Sequence, residues 1–115
     1  MPTETKQTTR ASANANAVFH AVSDPNRRRI LETLRGGERS AGEIVDEFDV
    51  TFAAISQHLK VLLEAGLVER RSEGRQRFYT MHPHALKTVH DWTEGFRDFW
   101  EGRIDRLAGL LDDEP

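Results

Sequence analysis

Between Ser40 and Gly66 the chain carries two helical patterns separated by a turn of about three residues, and no other feature constrains its fold as strongly. Ser40-x-x-Glu43 has the spacing of a capping box, in which each side chain satisfies a backbone N–H that the first helical turn leaves free. Behind it Ala41, Ile44, Val45 and Phe48 fall at i, i+3, i+4 and i+7, one face of a helix barely two turns long. After Phe48-Asp49-Val50, Thr51 stands where it caps a second helix running to about Ala65, and Gly66 stands where a left-handed residue ends it. A short helix, a tight turn and a longer helix make the layout of a helix-turn-helix.

The flanks complete a single small domain, as 115 residues allow. Residues 1–13 are polar, Thr-rich and aperiodic, and are expected to form a mobile arm. Ala15, Val18, Phe19 and Val22 share one face of a first helix; Ser23-Asp24-Pro25 stops it and starts the next, whose buried face is Ile30, Leu31 and Leu34 before Gly36-Gly37. Beyond Gly66, the runs Leu67–Ser72 and Arg75–Met81 around Glu73-Gly74 read as a β-hairpin. From about residue 84 to 111 the pattern is helical again for about 27 residues, roughly 40 Å at the standard rise. The expected class is mainly α with a small β-hairpin: a winged helix-turn-helix over 14–111, followed by an acidic tail at 112–115.

On a helical wheel Ile55, Leu59, Leu62, Phe52 and Leu63 gather on the side expected to meet the core. Opposite them lie Ala53, Gln57 and Lys60, with Ser56 at the edge and His58 flanking the two faces. A small, polar face with one cation suits a major groove. Gln matches the paired donor and acceptor of adenine, Ser bonds either way, Ala admits close approach, and Lys meets phosphate or guanine. A hairpin following it with Arg75 and Arg77 at its tip is the wing that lays cations on phosphates or in the minor groove.

The net charge of −3 is no obstacle to this, because it is unevenly spread. Residues 51–80 carry 5 basic and 3 acidic side chains, a net +2, whereas 81–115 carry 4 and 8, a net −4. The absence of cysteine excludes a disulfide framework, a thiolate metal site and a catalytic or redox-switching thiol, and points to the cytoplasm. Residues 1–16 hold no apolar stretch and no run of apolar residues reaches membrane-spanning length, so neither export nor membrane insertion is expected. Neither a phosphate-binding Gly-rich loop nor a carboxylate and His arrangement suited to a cleft is found, so the chain is not expected to be an enzyme or to need a cofactor.

Two stretches carry a resemblance. Ala21-Val22-Ser23-Asp24-Pro25-Asn26-Arg27-Arg28-Arg29-Ile30-Leu31 and Ser56-Gln57-His58-Leu59-Lys60-Val61-Leu62-Leu63-Glu64-Ala65-Gly66-Leu67-Val68 closely resemble the ArsR family of bacterial winged-helix repressors. The resemblance spans roughly residues 14–111. It implies a homodimeric repressor of its own or a neighbouring operon that binds a double-stranded DNA operator, with Thr51 to Lys60 in the recognition helix and Leu67 to Met81 as the wing. The expected DNA-binding set is Thr51, Phe52, Ala53, Ser56, Gln57, His58, Lys60, Arg75 and Arg77. Arg27 to Arg29 are taken as structural, with Asp24 in reach.

Many members of this family respond to metals. The cysteine site on the third helix is absent here, which places the chain with the branch lacking it. His82, His84, His90, Asp91 and Glu94 are the candidates for a site on the last helix, but the expected Asp-x-His pairing with a second pair a dozen residues on is missing. A metal-responsive repressor, a pH-responsive role for these histidines, and an interaction module without a DNA target remain alternatives.

The last helix carries Trp92, Phe96, Phe99, Trp100, Leu107, Leu110 and Leu111 along one broad stripe. Four of the nine aromatic residues lie between Trp92 and Trp100, more apolar surface than one side of so small a domain requires. The expected use is a two-fold interface built from the first and last helices, with Val18, Phe19, Trp92, Phe96, Phe99, Trp100 and Leu107 at its centre. Gly95, Gly102 and Gly109, spaced by sevens, are expected to admit a partner backbone.

Overall fold

The computed structural model describes residues 14–112; the expected arm at 1–13 and all but the first residue of the expected tail lie outside them. Helix α1 (14–22) turns its Val18 and Ala21 inward. Ser23 Oγ then donates to the His20 carbonyl at 2.6 Å, and Asp24 caps α2 (Pro25–Leu34) by accepting the backbone N–H groups of Asn26 at 2.8 Å and Arg27 at 3.2 Å. Pro25 opens α2, where its missing N–H costs nothing and its fixed φ suits the helix. Ile30, Leu31 and Leu34 give α2 its buried face.

The capping box is formed. Ser40 Oγ accepts the Glu43 N–H at 3.1 Å and Glu43 Oε1 accepts the Ser40 N–H at 3.0 Å, starting α3 (Ala41–Asp46). Helix α4 (Phe52–Glu64) begins where Thr51 Oγ1 accepts the Ala54 N–H at 3.1 Å. It ends in a Schellman motif: Leu67 N–H donates to Leu62 O and Gly66 N–H to Leu63 O, each at 3.0 Å, with Gly66 at φ +75°. That left-handed residue reverses the chain and drops Leu67 and Val68 directly into the core.

The β structure has three strands where the sequence suggested a two-stranded hairpin. Two-residue β1 (Arg39–Ser40), β2 (Val68–Glu73) and β3 (Gln76–Met81) form an antiparallel sheet in the order β1-β3-β2. Arg39 pairs with Tyr79 and Ser40 with Phe78, so the segment leading into α3 is stitched to the root of the hairpin. Two residues cannot display a period, and β1 exists only because β3 lies beside it. The hairpin turns through Gly74 at φ +62° and Arg75, a two-residue Gly-X turn between Glu73 and Gln76.

The continuous last helix is also corrected. A 3₁₀ turn (Pro83–Leu86) leads into α5 (Lys87–Glu94), and the helix breaks at Gly95 and Phe96 before α6 (Arg97–Asp112). At the break the N–H groups of Gly95, Phe96 and Phe99 each bond three residues back, to Trp92, Thr93 and Phe96. Glycine disfavours a helix interior by about 1 kcal/mol relative to alanine, and a Cβ at position 95 would meet the Trp92 carbonyl oxygen at 3.3 Å. Gly95 therefore shapes this junction, while at Gly102 and Gly109 a Cβ would meet, beyond the adjacent residues and the helix's own backbone, no heavy atom of the described residues within 4 Å.

One core holds the domain together, built from Val18, Ile30, Leu34, Ile44, Ile55, Leu62, Leu67 and Tyr79 with their neighbours. Helix α5 reaches it only through half-buried Val89, and the 3₁₀ turn through Ala85 and Leu86. Helix α6 contributes nothing to it: Phe99 and Leu107 are each 59% exposed, and Leu110 and Leu111 still more.

Candidate nucleic-acid interface

The apolar stripe of α4 decides which side chains face outward. Ile55, Leu59 and Leu62 are buried, so Ala53, Ser56, Gln57 and Lys60 stand on the exposed face, as does the cap Thr51. Phe52 departs from the helical wheel. It is 61% exposed, because as the first residue of the helix it sits ahead of the surface that Ile55 and Leu59 seal. It lines a groove of about 570 Å³ between the helix-turn-helix and the hairpin, together with Ser40, Gly42, Ser56, Arg75 and Arg77. The groove thus brings Phe52 and Ser56 of α4 to the same concavity as the two wing arginines. Gln57, Ala53 and Lys60 lie on the exposed helix face but do not line it.

A network that sequence periodicity does not reveal sets the wing's position. Arg71 on β2 makes a two-pronged contact with Glu38, Nε and Nη2 donating to the two carboxylate oxygens at 2.8 and 2.7 Å, and Nη1 donates to Glu73 at 2.8 Å. Its guanidinium also lies 4.4 Å over the Phe78 ring on the paired strand. The hydrogen bonds it donates to Glu38 and then to Glu73 hold the Arg71 guanidinium above its ordinary range, and those from Arg71 hold the Glu38 carboxyl below its own. Arg71 is neutralised by this network, whereas Arg75 and Arg77 are exposed and in no ion pair among the described residues.

The arginine triplet is structural, but its partners are not the Asp24 carboxylate. Arg27 Nε donates to Ala21 O at 2.7 Å and Nη2 to His20 O at 3.0 Å, while Arg28 Nη1 donates to Val22 O at 2.8 Å. Both cations sit on carbonyls at the C-terminal end of α1, the negative end of its dipole. Arg29 donates to the Glu47 carbonyl and stacks 4.5 Å over Phe48, tying α2 to the end of α3. Asp24 is occupied with the backbone. Burial works to raise its carboxyl, but the N–H bonds from Arg27 and Asn26, with the Arg27 charge nearby, hold it below its usual value.

His58 also departs from the expected set. Its Nδ1 lies 3.3 Å from Arg27 Nη1, so the ring is turned towards α2 rather than outward with Gln57.

Comparison with known proteins agrees with this geometry. Residues 22–71 match a helix-turn-helix domain family. The chain is 36% identical over 81 residues to the transcriptional repressor SdpR of Bacillus subtilis, covering 70% of this chain and 90% of that protein. It is 32% identical over 88 residues to the transcriptional activator HlyU of Vibrio cholerae, covering 76% and 82%. The solved structure of an ArsR-like transcriptional regulator from Rhodococcus sp. RHA1 superposes with a TM-score of 0.68 at 27% identity, over 93% of this chain and 98% of that one. The chain belongs to the ArsR family.

As an ArsR-family protein it is a DNA-binding transcriptional regulator, and its relatives are regulators rather than enzymes. Among the described residues no helix is long and apolar enough to cross a membrane. In the C-terminal region His82 Nδ1 is 3.2 Å from a Glu69 carboxylate oxygen, the His82 ring centroid is 6.4 Å from that of His84, and His90 Nε2 is 3.9 Å from Glu94. No three His, Asp or Glu side chains among the described residues gather as a metal site would need.

Of the expected interface residues, Val18 is corrected: at 2% exposure it is used by the chain's own core and has no surface to offer a partner. Phe19 is half-buried and packs edge-on against Trp92, ring centroids 5.6 Å apart, and Trp92 packs likewise on Phe96 at 5.3 Å. Trp92, Phe96, Phe99, Trp100 and Leu107 remain between 43% and 59% exposed. Ile104, 54% exposed, extends the same apolar surface and was missed by a stripe drawn for one unbroken helix.

Proposed function

We propose that the chain is a homodimeric repressor that binds a partly palindromic operator in the cytoplasm. The observation that carries this reading is the exposed face of α4, Ala53, Ser56, Gln57 and Lys60, set beside a groove rimmed by Arg75 and Arg77, which are in no ion pair among the described residues. Ser56 and Gln57 are assigned to base edges in the major groove, with Thr51, Ala53 and Phe52 in close apolar or backbone contact there. Lys60, Arg75 and Arg77 are assigned to phosphates.

The apolar surface of α5 and α6 supports the dimer. Eight large apolar side chains from Trp92 to Leu111 are at least 43% exposed, with Phe19 extending the patch from α1. A two-fold axis through it presents the two α4 helices to successive major grooves, about 34–36 Å apart. Bound there, the dimer blocks polymerase.

The test is a fluorescence-anisotropy titration of the purified protein with its own promoter DNA, against competitor DNA and over a range of salt, alongside transcription in vitro from that promoter. Specific binding with a steep salt slope and reduced transcription is expected. Binding no tighter than to competitor DNA refutes operator recognition, and increased transcription makes the protein an activator.

A further inference from the structure

Arg27 is the only charged side chain buried among the described residues, at 8% exposure, and it links three elements. Nε and Nη2 donate to the Ala21 and His20 carbonyls at the end of α1, the side chain itself springs from the first turn of α2, and Nη1 reaches His58 on α4. A guanidinium is a rigid planar fork. With two of its arms fixed on backbone carbonyls, the direction of the third is no longer free, and it points at the imidazole. Guanidinium has no acceptor, so Nδ1 receives the hydrogen bond and the ring carries its proton on Nε2. Asp24, the other charged group beside this ring, is fixed by its own backbone bonds.

The recognition helix needs such a contact. Ile55, Leu59 and Leu62 hold α4 to the core through an apolar stripe, which resists separation but defines the rotation about the helix axis less sharply than a directional bond does. For a helix with a radius of about 5–6 Å including side chains, a rotation of about 10° carries a side-chain tip about 1 Å. That is enough to spoil a base-edge hydrogen bond. A directional bond from a guanidinium anchored to α1 and α2 fixes that rotation.

We propose that His58 is a positioning residue rather than a base reader, and that the Arg27–His58 contact sets the rotation of the recognition helix from the end of α1. This inference rests on the DNA-binding reading above. It also makes Arg27 the link between α1, on the proposed dimer side, and the residues that read bases.

The full-length wild type is first used to select a duplex from a randomised library. The affinity ratio between the selected duplex and a scrambled one is then measured for wild type, His58→Ala, His58→Asn, Arg27→Lys and the double variant Arg27→Lys/His58→Ala, with thermal melting of each. His58→Ala and Arg27→Lys are each expected to lower the ratio about tenfold, the size of a charge-assisted hydrogen bond, with the double variant no worse than either. His58→Asn, whose amide oxygen takes the place of Nδ1 as acceptor, is expected to restore most of the ratio. If Arg27→Lys does not fold, the comparison of His58→Ala with His58→Asn decides.

A changed base preference at one position in His58→Ala would make His58 a reader and overturn the proposal. So would an unchanged ratio in His58→Ala with only a lower melting temperature, failure of His58→Asn to rescue, or additive losses in the double variant. If the wild type selects no sequence at all, the DNA-binding reading itself fails, a result distinct from all of these.

Discussion

Removing two side chains from the apolar face of α6 tests the proposed dimer without touching the monomer's core. Phe99 and Leu107 are each 59% exposed in the single chain and lie eight positions apart, about 12 Å along a helix, so their effects should add. Fully burying such a side chain is worth about 2–3 kcal/mol, and the part still exposed here corresponds to roughly 1.5 kcal/mol on dimer formation. A two-fold interface counts each substitution twice, giving about 3 kcal/mol per position and about 6 kcal/mol for Phe99→Ala with Leu107→Ala. At about 1.4 kcal/mol per tenfold, the dimer dissociation constant should rise by roughly four orders of magnitude. Sedimentation equilibrium over a concentration series measures this directly, and circular dichroism of the monomeric variant should retain the helical content of the wild type. A monomeric wild type, or a double variant that dissociates no more readily than wild type, would refute the assignment of this face.

Three further outcomes follow from the geometry. Arg75→Ala should weaken binding to all DNA sequences alike and flatten the salt slope by about one per protomer, whereas Gln57→Ala should relax base preference and leave the slope unchanged; anisotropy titrations at several salt concentrations distinguish these, and the reverse pattern would overturn the division of labour. Glu38→Gln removes the charge that fixes Arg71 and should lower DNA affinity while barely moving the melting temperature, because the pair is exposed and its role is to aim the wing; unchanged affinity would show that the wing needs no such brace. Asp24→Ala should cost about 1 kcal/mol in urea unfolding, the value of a helix cap. Because the folded-state pKa of Asp24 lies below its ordinary carboxylate value, its stabilisation is complete above that ordinary value and is lost as the pH falls through the folded one; the difference between wild type and Asp24→Asn should therefore shrink towards acid pH, and a difference that grows would contradict the cap.

The same local chemistry explains which parts of the protein were legible before any coordinates. Ser40 with Glu43, Thr51, Asp24 with Pro25, and Gly66 mark helix ends through bonds to groups within about four residues, so the sequence carries both partners of each interaction. The buried stripe Ile55, Leu59 and Leu62 repeats with the helix period, and the polar face opposite it follows by subtraction. Sequence alone thus determined the helix-turn-helix, the hairpin, the exposed Ser56, Gln57 and Lys60, and the kinship with a family of regulators.

What tertiary structure decided are the interactions between segments distant in the chain. Arg71 meets Glu38 across 33 positions and Arg27 meets His58 across 31, and no periodicity connects such pairs. Strand β1 is too short to announce itself and is defined by Tyr79 and Phe78 of β3. Phe52 left the core and Val18 entered it because packing depends on where an element ends and what lies over it, not on the angle of a wheel. At Gly95 the apolar pattern runs on while the backbone does not, since the stripe records which side chains avoid water and is silent about a break in the hydrogen-bond ladder beneath it. Local bonds are written in neighbouring residues; the aim of the recognition helix and its wing is set by partners that only the folded chain brings together.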